Sequence, residues 1–269
     1  MKKRVISATV LILLVLATMP NMITRVLLFM GVGIICAFEY SKNLEKLDVH
    51  ITLWVLVSYL VINAILSITK CGLMTYLGVY AIAVLISLFS GILHKEVSAN
   101  GAIYTVSVLS YPCFLFAFCM LICASDRWAE AIGIGMISSI LCDTFALFGG
   151  MLFGKHKLAP DISPNKTIEG SVCGAIFSLF GGLIVFFLSK RLSVTPLPLY
   201  VCLISAFVSS TLGQVGDLSE SMLKRYLGIK DFSNLIPGHG GMFDRADAII
   251  FSVPTAYFML YILGFHLLR

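Results

Sequence analysis

Charged residues are scarce in this sequence of 269 residues, with Asp, Glu, Lys and Arg together making up 12%. A soluble globular domain carries roughly 25% charged residues. Hydrophobic residues account for 59% and the mean hydropathy is +0.98, so too little polar surface remains to cover a water-facing globule. The scarcity of charge excludes an ordinary soluble domain and indicates a chain with lipid as its solvent.

Metal-binding cysteine patterns and concentrated positive charge are also lacking. The eight cysteines lie mostly within apolar runs, without a CxxC pair or a Cys/His cluster of zinc spacing. Neither a disulfide nor a zinc site is expected from such a distribution. The net charge of +5 is spread over short loops, which argues against a nucleic-acid partner.

Long apolar runs are what the sequence has in abundance. A membrane-spanning helix needs about 20 mainly apolar residues. The sequence predicts an all-α, polytopic bundle of about nine transmembrane helices, with a tight turn at Pro20-Asn21. Its basic start followed by an apolar run also resembles a secretory signal peptide. The nine predicted spans are Val5–Met19, Met22–Phe38, Ile51–Thr69, Gly72–Leu93, Ala102–Ala124, Trp128–Phe153, Ile168–Ser189, Leu197–Gly216 and Ala248–His266.

The distribution of Lys and Arg predicts how the chain is oriented. With nine spans, 13 of the 19 Lys and Arg residues lie on the side that holds the N-terminus. Because cytoplasmic loops are enriched in Lys and Arg, we expect the N-terminus in the cytoplasm. Two long loops, 154–167 and 217–247, lie on the same side and hold most of the clustered Lys, His, Asp, Gly and Pro.

Ionisable groups within or beside the spans are candidates for function, because burying charge in lipid is expensive. Asp143 lies ten residues before Phe153, roughly 15 Å along the helix at 1.5 Å per residue. It indicates either a polar cavity open to the cytoplasm or a carboxyl satisfied by a neighbouring helix. Asp217 and Glu220 are three positions apart and therefore share one helix face. Gly216 beside them leaves room for another backbone.

The segment from Ser221 to Asp247 combines cations, carboxylates and a turn-rich loop. Pro237-Gly238-His239-Gly240-Gly241 can turn backbone N–H groups toward an anion. Basic side chains suit phosphates, and carboxylates suit Mg²⁺. A positively charged cytoplasmic loop would explain the basic residues alone. The carboxylates and the glycine-rich turn beside them point to nucleotide chemistry. The charged residues concerned are Lys224, Arg225, Lys230, Asp244, Arg245 and Asp247.

This segment resembles the signature of the phosphatidate cytidylyltransferase family, also called CDP-diacylglycerol synthases. It follows the pattern S-x-x-K-R-x4-K-D-x5-P-x-H-G-G-x2-D-R-x-D. A second match runs from Asp143 to Gly170 and includes Phe153 to Pro160 and Ser163 to Thr167. Residues 1–125 match mainly in hydropathy.

The resemblance implies attack of a phosphatidic acid phosphate oxygen on the α-phosphorus of CTP, with Mg²⁺ alone or with a second cation. By family position, Asp217 and Asp244 are the first metal ligands, followed by Asp143, Glu220 and Asp247. Lys230, His239 and Arg245 join Asp217 and Asp244 as catalytic residues. The substrate-binding residues implied are Lys155, His156, Lys157, Ser163, Asn165, Lys166, Thr167, Lys224, Arg225, Gly240 and Gly241.

The expected organisation follows from these motifs. Residues 1–125 form a transmembrane scaffold for lipid or dimer contacts, and residues 126–269 form the catalytic region with both long loops. The expected location is the inner membrane, with CTP, phosphatidic acid and a homodimer contact as the partners considered. Two alternatives stay open: a CTP-dependent lipid kinase of a related membrane group, and a cation transporter that uses Asp143, Asp217 and Glu220. The motif D-x2-D-G-x2-A-R of the alcohol phosphotransferases that consume CDP-diacylglycerol is absent.

Overall fold

The structure, a computed structural model, describes residues 2–93, 98–192, 196–238 and 240–264. Helices dominate because a backbone in lipid must satisfy its own hydrogen bonds. The chain is kinked within Leu109–Cys113, where Tyr111 has an extended backbone conformation, between the helices Ala99–Val108 and Phe114–Cys123. The elements are α1 (Lys2–Thr18), α2 (Met22–Glu45), α3 (Leu53–Ile68), α4 (Leu73–Leu93), α5 (Ala99–Val108), α6 (Phe114–Cys123), α7 (Trp128–Phe153), β1 (Lys157–Ala159), β2 (Ser163–Thr167), α8 (Ile168–Phe177), α9 (Leu179–Leu192), α10 (Leu199–Tyr226), α11 (Phe243–Ala246) and α12 (Ile249–Gly264).

Seven helical segments of the described chain are long and apolar enough to cross a membrane. Two shorter apolar helices, Thr9–Thr18 and Leu53–Ile68, lie in the regions of the first and third predicted spans. The all-α, polytopic membrane class is therefore confirmed, whereas the count of nine spans stays a prediction. The seven segments are Met22–Glu45, Leu73–Ile92, Ala99–Cys123, Trp128–Phe153, Ile168–Leu192, Leu199–Tyr226 and Phe243–Gly264.

Two helices continue well beyond their predicted ends. α2 runs past Phe38 to Glu45. α10 runs past Gly216 to Tyr226, so the first ten residues of the predicted loop 217–247 are helical. The reason is local, because no Gly or Pro interrupts residues 217–226 and an ion pair joins Glu220 to Lys224 one turn later. The helix ends before Gly228, whose φ of 66° is in the left-handed region.

The chain divides into two compact units. The first comprises Met1–Ser125 and Tyr226–Ala246, and the second comprises Asp126–Arg225 and Asp247–Arg269. The segment 226–246, which holds most of the signature, thus belongs to the first unit. The proposed functional division at residue 125 stays a prediction.

Each unit has its own helical core. In the first unit, α2 packs against α3, α6 and α11. In the second unit, α7 packs against α8, α9 and α12. The contact of α7 with α8 is close, because a Cβ added at Gly174 would lie 2.5 Å from the carbonyl oxygen of Cys142. Such small-residue contacts are typical of helix packing in membranes.

Candidate active site

Three carboxylates of the second unit converge at the polar end of α10. One carboxylate oxygen from each of Asp217, Glu220 and Asp247 lies within 4.8 Å of the others. Asp217 and Glu220 share a face of α10, as their spacing predicts. Asp247, which precedes α12, approaches closely at Gly216, where an added Cβ would lie 2.6 Å from the carbonyl oxygen of Asp247. Glycine at this position therefore permits the cluster to form.

Two lysines neutralise part of this negative charge. The Nζ of Lys166, on β2, lies 2.5 Å from Oδ2 of Asp217. The Nζ of Lys224 lies 2.5 Å from Oε2 of Glu220, whose side chain is fully buried. A buried carboxylate without a cation would cost several kcal/mol. The cluster thus places carboxylates and ammonium groups side by side, as binding of a metal–phosphate complex requires.

Asp143 belongs electrostatically to the same group. It lies in the middle of α7 and is exposed. The charges of Asp217 and Lys166 both act on it, and its own charge acts on Asp247. A carboxylate in an apolar span is costly unless it meets water or a polar partner. The polar cavity and the satisfied carboxyl both stay predictions.

A short hairpin carries the predicted phosphate-binding residues of loop 154–167. Its strands pair antiparallel, with Lys157 opposite Thr167 and Ala159 opposite Ser163. Lys155, His156, Lys157 and Asn165 are exposed, and Ser163 is half-buried. The Oγ1 of Thr167 accepts a hydrogen bond from the N–H of Gly170 and so caps α8.

Glu169 holds the backbone just before β1, a role that the sequence motifs did not predict. Its carboxylate accepts hydrogen bonds from the backbone N–H groups of Lys155 and His156 at 3.1 and 3.2 Å. It also lies 2.6 Å from Nδ1 of His156. On the other side of the hairpin, Nε of Arg225 donates to the carbonyl oxygen of Ile162 at 3.1 Å. The signal was available, because Glu169 lies inside the second matched stretch.

The oxygen donors of the cluster fit a magnesium ion. Mg²⁺ holds its ligands at about 2.0–2.1 Å, so ligands on opposite sides of the ion lie roughly 4.2 Å apart. The oxygens of Asp217, Glu220 and Asp247, within 4.8 Å of one another, are compatible with that spacing. Carboxylates are also the hard ligands that Mg²⁺ prefers.

Asp244 and Glu39 shape residues 227–246 of the first unit, here called the signature loop. Oδ2 of Asp244, 5% exposed, accepts hydrogen bonds from the N–H groups of Phe232 and Gly241 at 2.9 and 2.8 Å. Glu39, on α2, accepts from the N–H groups of Met242 and Phe243, both at 2.9 Å. The N–H of Gly241 thus faces the protein's own carboxylate. Binding of a substrate anion by this turn stays a prediction.

Comparison with known proteins identifies the family. The model of the cytidylyltransferase family matches residues 2–263 of the chain. The chain belongs to the cytidylyltransferase family. It is 44% identical over 119 residues to a phosphatidate cytidylyltransferase of Bacillus subtilis. It is 46% and 45% identical over 121 residues to proteins of the same name from Staphylococcus haemolyticus and Staphylococcus saprophyticus.

These matches cover only part of each relative. The aligned residues span 44% of this cytidylyltransferase family member and 42% of the Bacillus protein. For the Staphylococcus haemolyticus protein, they span 45% of each chain. The chain thus spans less than half the length of the relatives it matches.

The structure groups some of the residues that the sequence assigned to the site of this chain. It brings Asp143, Lys166, Asp217, Glu220, Lys224 and Asp247 together within the second unit. Asp244 belongs to the first unit, and its carboxylate is engaged by backbone N–H groups. Lys230 and Arg245 are exposed, Gly240 and Gly241 form part of the signature loop, and His239 lies outside the described residues. Their catalytic and binding roles stay predictions.

Proposed function

We propose that the chain is a phosphatidate cytidylyltransferase, which converts CTP and phosphatidic acid to CDP-diacylglycerol and pyrophosphate. The family match and the names of the three relatives support this activity. The observation that carries the proposal is the carboxylate cluster of Asp217, Glu220 and Asp247, flanked by two lysines in a chain of membrane-spanning helices.

In the proposed reaction, an oxygen of the lipid phosphate attacks the α-phosphorus of CTP. A new phosphoanhydride bond forms, the bond between the α-phosphorus and the bridging oxygen to the β-phosphate breaks, and pyrophosphate leaves. The attacking phosphate is already an anion, so no side-chain nucleophile is required. The protein's contribution is positioning and charge neutralisation.

Asp217, Glu220 and Asp247 would hold Mg²⁺, with Asp143 as a neighbouring carboxylate. When bound, Mg²⁺ supplies positive charge to the phosphate oxygens and lowers the cost of bringing two anions together. A second cation fits the same chemistry. The geometry supports Asp247, which the sequence ranked last among the candidates, as a ligand of the metal. It supports a structural role for Asp244, whose carboxylate accepts hydrogen bonds from the backbone of the signature loop.

The basic side chains would bind the phosphates of the two substrates. Lys166 and Lys224 already lie against the carboxylate cluster. We assign the exposed basic residues to the triphosphate or the lipid phosphate, because charge-assisted hydrogen bonds to phosphate are strong. These exposed residues are Lys155, Lys157, Arg225, Lys230 and Arg245.

The site would face the cytoplasm from the inner membrane. The excess of Lys and Arg on the side of the N-terminus supports this orientation. CTP would arrive from the water, and phosphatidic acid would arrive within the bilayer with its phosphate at the interface. The last turn of α7 carries the exposed apolar residues Met151, Leu152 and Phe153 directly before the hairpin, which suits contact with lipid at this level.

Turnover by the purified full chain tests this function. Incubation with CTP, phosphatidic acid and Mg²⁺ should yield CDP-diacylglycerol and pyrophosphate in equal amounts, and EDTA should abolish both products. Formation of CDP in place of pyrophosphate would identify a lipid kinase instead. Cation flux in liposomes without any CTP turnover would identify a transporter.

A further inference from the structure

Glu39 is a buried carboxylate outside the proposed metal site. It lies near the end of α2, 7% exposed, in a helix that starts as an apolar run. A carboxylate buried to this extent is stable only when its oxygens are well bonded. The hydrogen-bond partners of Glu39 therefore indicate its role.

The carboxylate of Glu39 accepts its hydrogen bonds from residues of the signature loop. Oε1 accepts hydrogen bonds from Oγ of Ser233 at 2.5 Å and from the N–H of Met242 at 2.9 Å. Oε2 accepts from the N–H of Phe243 at 2.9 Å. Two consecutive N–H groups directed at one anion resemble the backbone nests that bind phosphate. Here a side chain some 200 positions earlier in the chain supplies the anion.

The same face of α2 contacts the other end of the loop. Asn43, one helical turn after Glu39, donates from Nδ2 to the carbonyl oxygen of Phe232 at 2.8 Å. Tyr40 packs its ring against the rings of Phe232 and Phe243. Side chains of α2 thus hold both Phe232 and Phe243. The glycine-rich turn lies between these two residues in the sequence.

The space beside the Glu39 carboxylate leaves no room for a side chain at position 241. A Cβ added at Gly241 would lie 2.8 Å from Oε2 of Glu39 and 3.0 Å from Oδ2 of Asp244. Glycine at position 241 therefore lets the backbone pass between two carboxylates. The position of this backbone determines the positions of Asp244 and Arg245, because these are the next two residues after Phe243.

We propose that Glu39 is a positioning residue for the nucleotide, which acts by holding the signature loop through Ser233, Met242 and Phe243. This inference rests on the proposed cytidylyltransferase function. Lys230, Asp231, Asn234, Pro237 and Gly238 of the loop are exposed, so the loop presents itself to water, from which CTP arrives. Glu39 touches no substrate itself and acts only through the loop.

Glu39→Gln provides the first test. Glutamine keeps the shape, but its amide nitrogen cannot accept a hydrogen bond from an N–H group. We expect the KM for CTP to rise at least tenfold, while the KM for phosphatidic acid changes less than twofold. Loss of folded protein lowers the number of active sites and moves neither KM. An unchanged KM for CTP would therefore overturn the proposal, whatever the total activity.

Hydrogen exchange without substrates separates this inference from the proposed function. In Glu39→Gln, the amides of the peptide spanning 232–246 should exchange at least tenfold faster, while peptides from α7 and α8 should not change. Exchange as slow as in the unmodified chain would show that Glu39 does not hold the loop, even if the chain has another activity. Absence of CTP turnover in the unmodified chain, together with faster exchange in the variant, would reject both the proposed function and the nucleotide role of Glu39.

Two further variants serve as a control and as a milder test. Glu45→Gln removes an exposed carboxylate from the last turn of the same helix and should leave both KM values and exchange unchanged. Ser233→Ala removes one partner of Glu39 and keeps both backbone hydrogen bonds. It should raise the KM for CTP about threefold, and a value within error of the unmodified chain would count against the proposal if Glu39→Gln does not fold.

Discussion

The Nζ of Lys166 lies 2.5 Å from Oδ2 of Asp217, which joins the hairpin of residues 157–167 to the carboxylate cluster on α10. The two residues are far apart in the sequence, and the sequence predicts different roles for them, phosphate binding and metal binding. Their contact brings the residues of these two predicted roles together in the second unit. The strongest tests of the proposed mechanism therefore concern this pair and its immediate neighbours.

Removing the charge of Lys166 should impair catalysis far more than removing that of a remote lysine. A charge-assisted hydrogen bond contributes about 1.5–3 kcal/mol, which corresponds to roughly tenfold or more in rate or affinity. We expect Lys166→Gln to lower kcat/KM for CTP at least tenfold. Lys42→Gln, at an exposed position of α2, should stay within twofold of the unmodified chain. Equal small effects at both positions would mean that Lys166 serves only membrane orientation.

Direct metal binding should distinguish the carboxylates of the cluster from Asp244. Asp217→Asn and Asp247→Asn keep the side-chain shape but remove charge, so each should weaken Mn²⁺ binding, measured by electron paramagnetic resonance, at least tenfold. Each should also lose nearly all turnover while eluting normally on size exclusion. Asp244→Asn should lose turnover with a smaller change in Mn²⁺ affinity, because its carboxylate bonds the loop backbone. A loss of Mn²⁺ binding as large as that of Asp217→Asn would return Asp244 to the ligand set that the family resemblance implies.

Enlarging Gly216 should disrupt the cluster by steric means alone. An added Cβ would lie 2.6 Å from both the carbonyl oxygen of Asp247 and Cδ2 of Phe251. Overpacking of this kind costs typically about 1–3 kcal/mol. We expect Gly216→Ala to lower the melting temperature and weaken Mn²⁺ binding. Gly31→Ala, where nothing lies within 4 Å of the added Cβ, is the matched helical control and should do neither. Normal Mn²⁺ affinity in Gly216→Ala would show that Asp247 is not held by this contact.

Cysteine labelling should establish the orientation. In a background without the eight native cysteines, Asn234→Cys in the exposed part of the signature loop should react only from the cytoplasmic side. Lys70→Cys, between α3 and α4, should react with an impermeant reagent added to intact cells. Labelling of Asn234→Cys in intact cells would contradict the orientation and the access of CTP to the site.

Some features of this protein followed from the sequence because they depend on neighbouring residues. The apolar runs predicted the transmembrane helices, since lipid leaves the backbone few alternatives. The spacing of Asp217 and Glu220 predicted a shared helix face, because helical periodicity is local. The predicted end of α10 at Gly216 was wrong because hydropathy detects only the apolar part of a helix. The helix itself extends beyond that apolar part. The helix continues through the polar residues 217–226 and stops at the positive φ of Gly228.

Tertiary structure decided which of the predicted carboxylates come together. Asp244 and Asp247 are three residues apart, and the family resemblance ranked Asp244 above Asp247 as a metal ligand. Folding directs the N–H groups of Phe232 and Gly241 at Asp244 within the first unit. Within the second unit it brings Asp247 beside Asp217 and Glu220. Glu39 was beyond reach for the same reason: its partners lie some 200 positions later in the chain. The sequence by itself determined the helices and the stock of charged groups, and long-range packing determined which of those groups share a site.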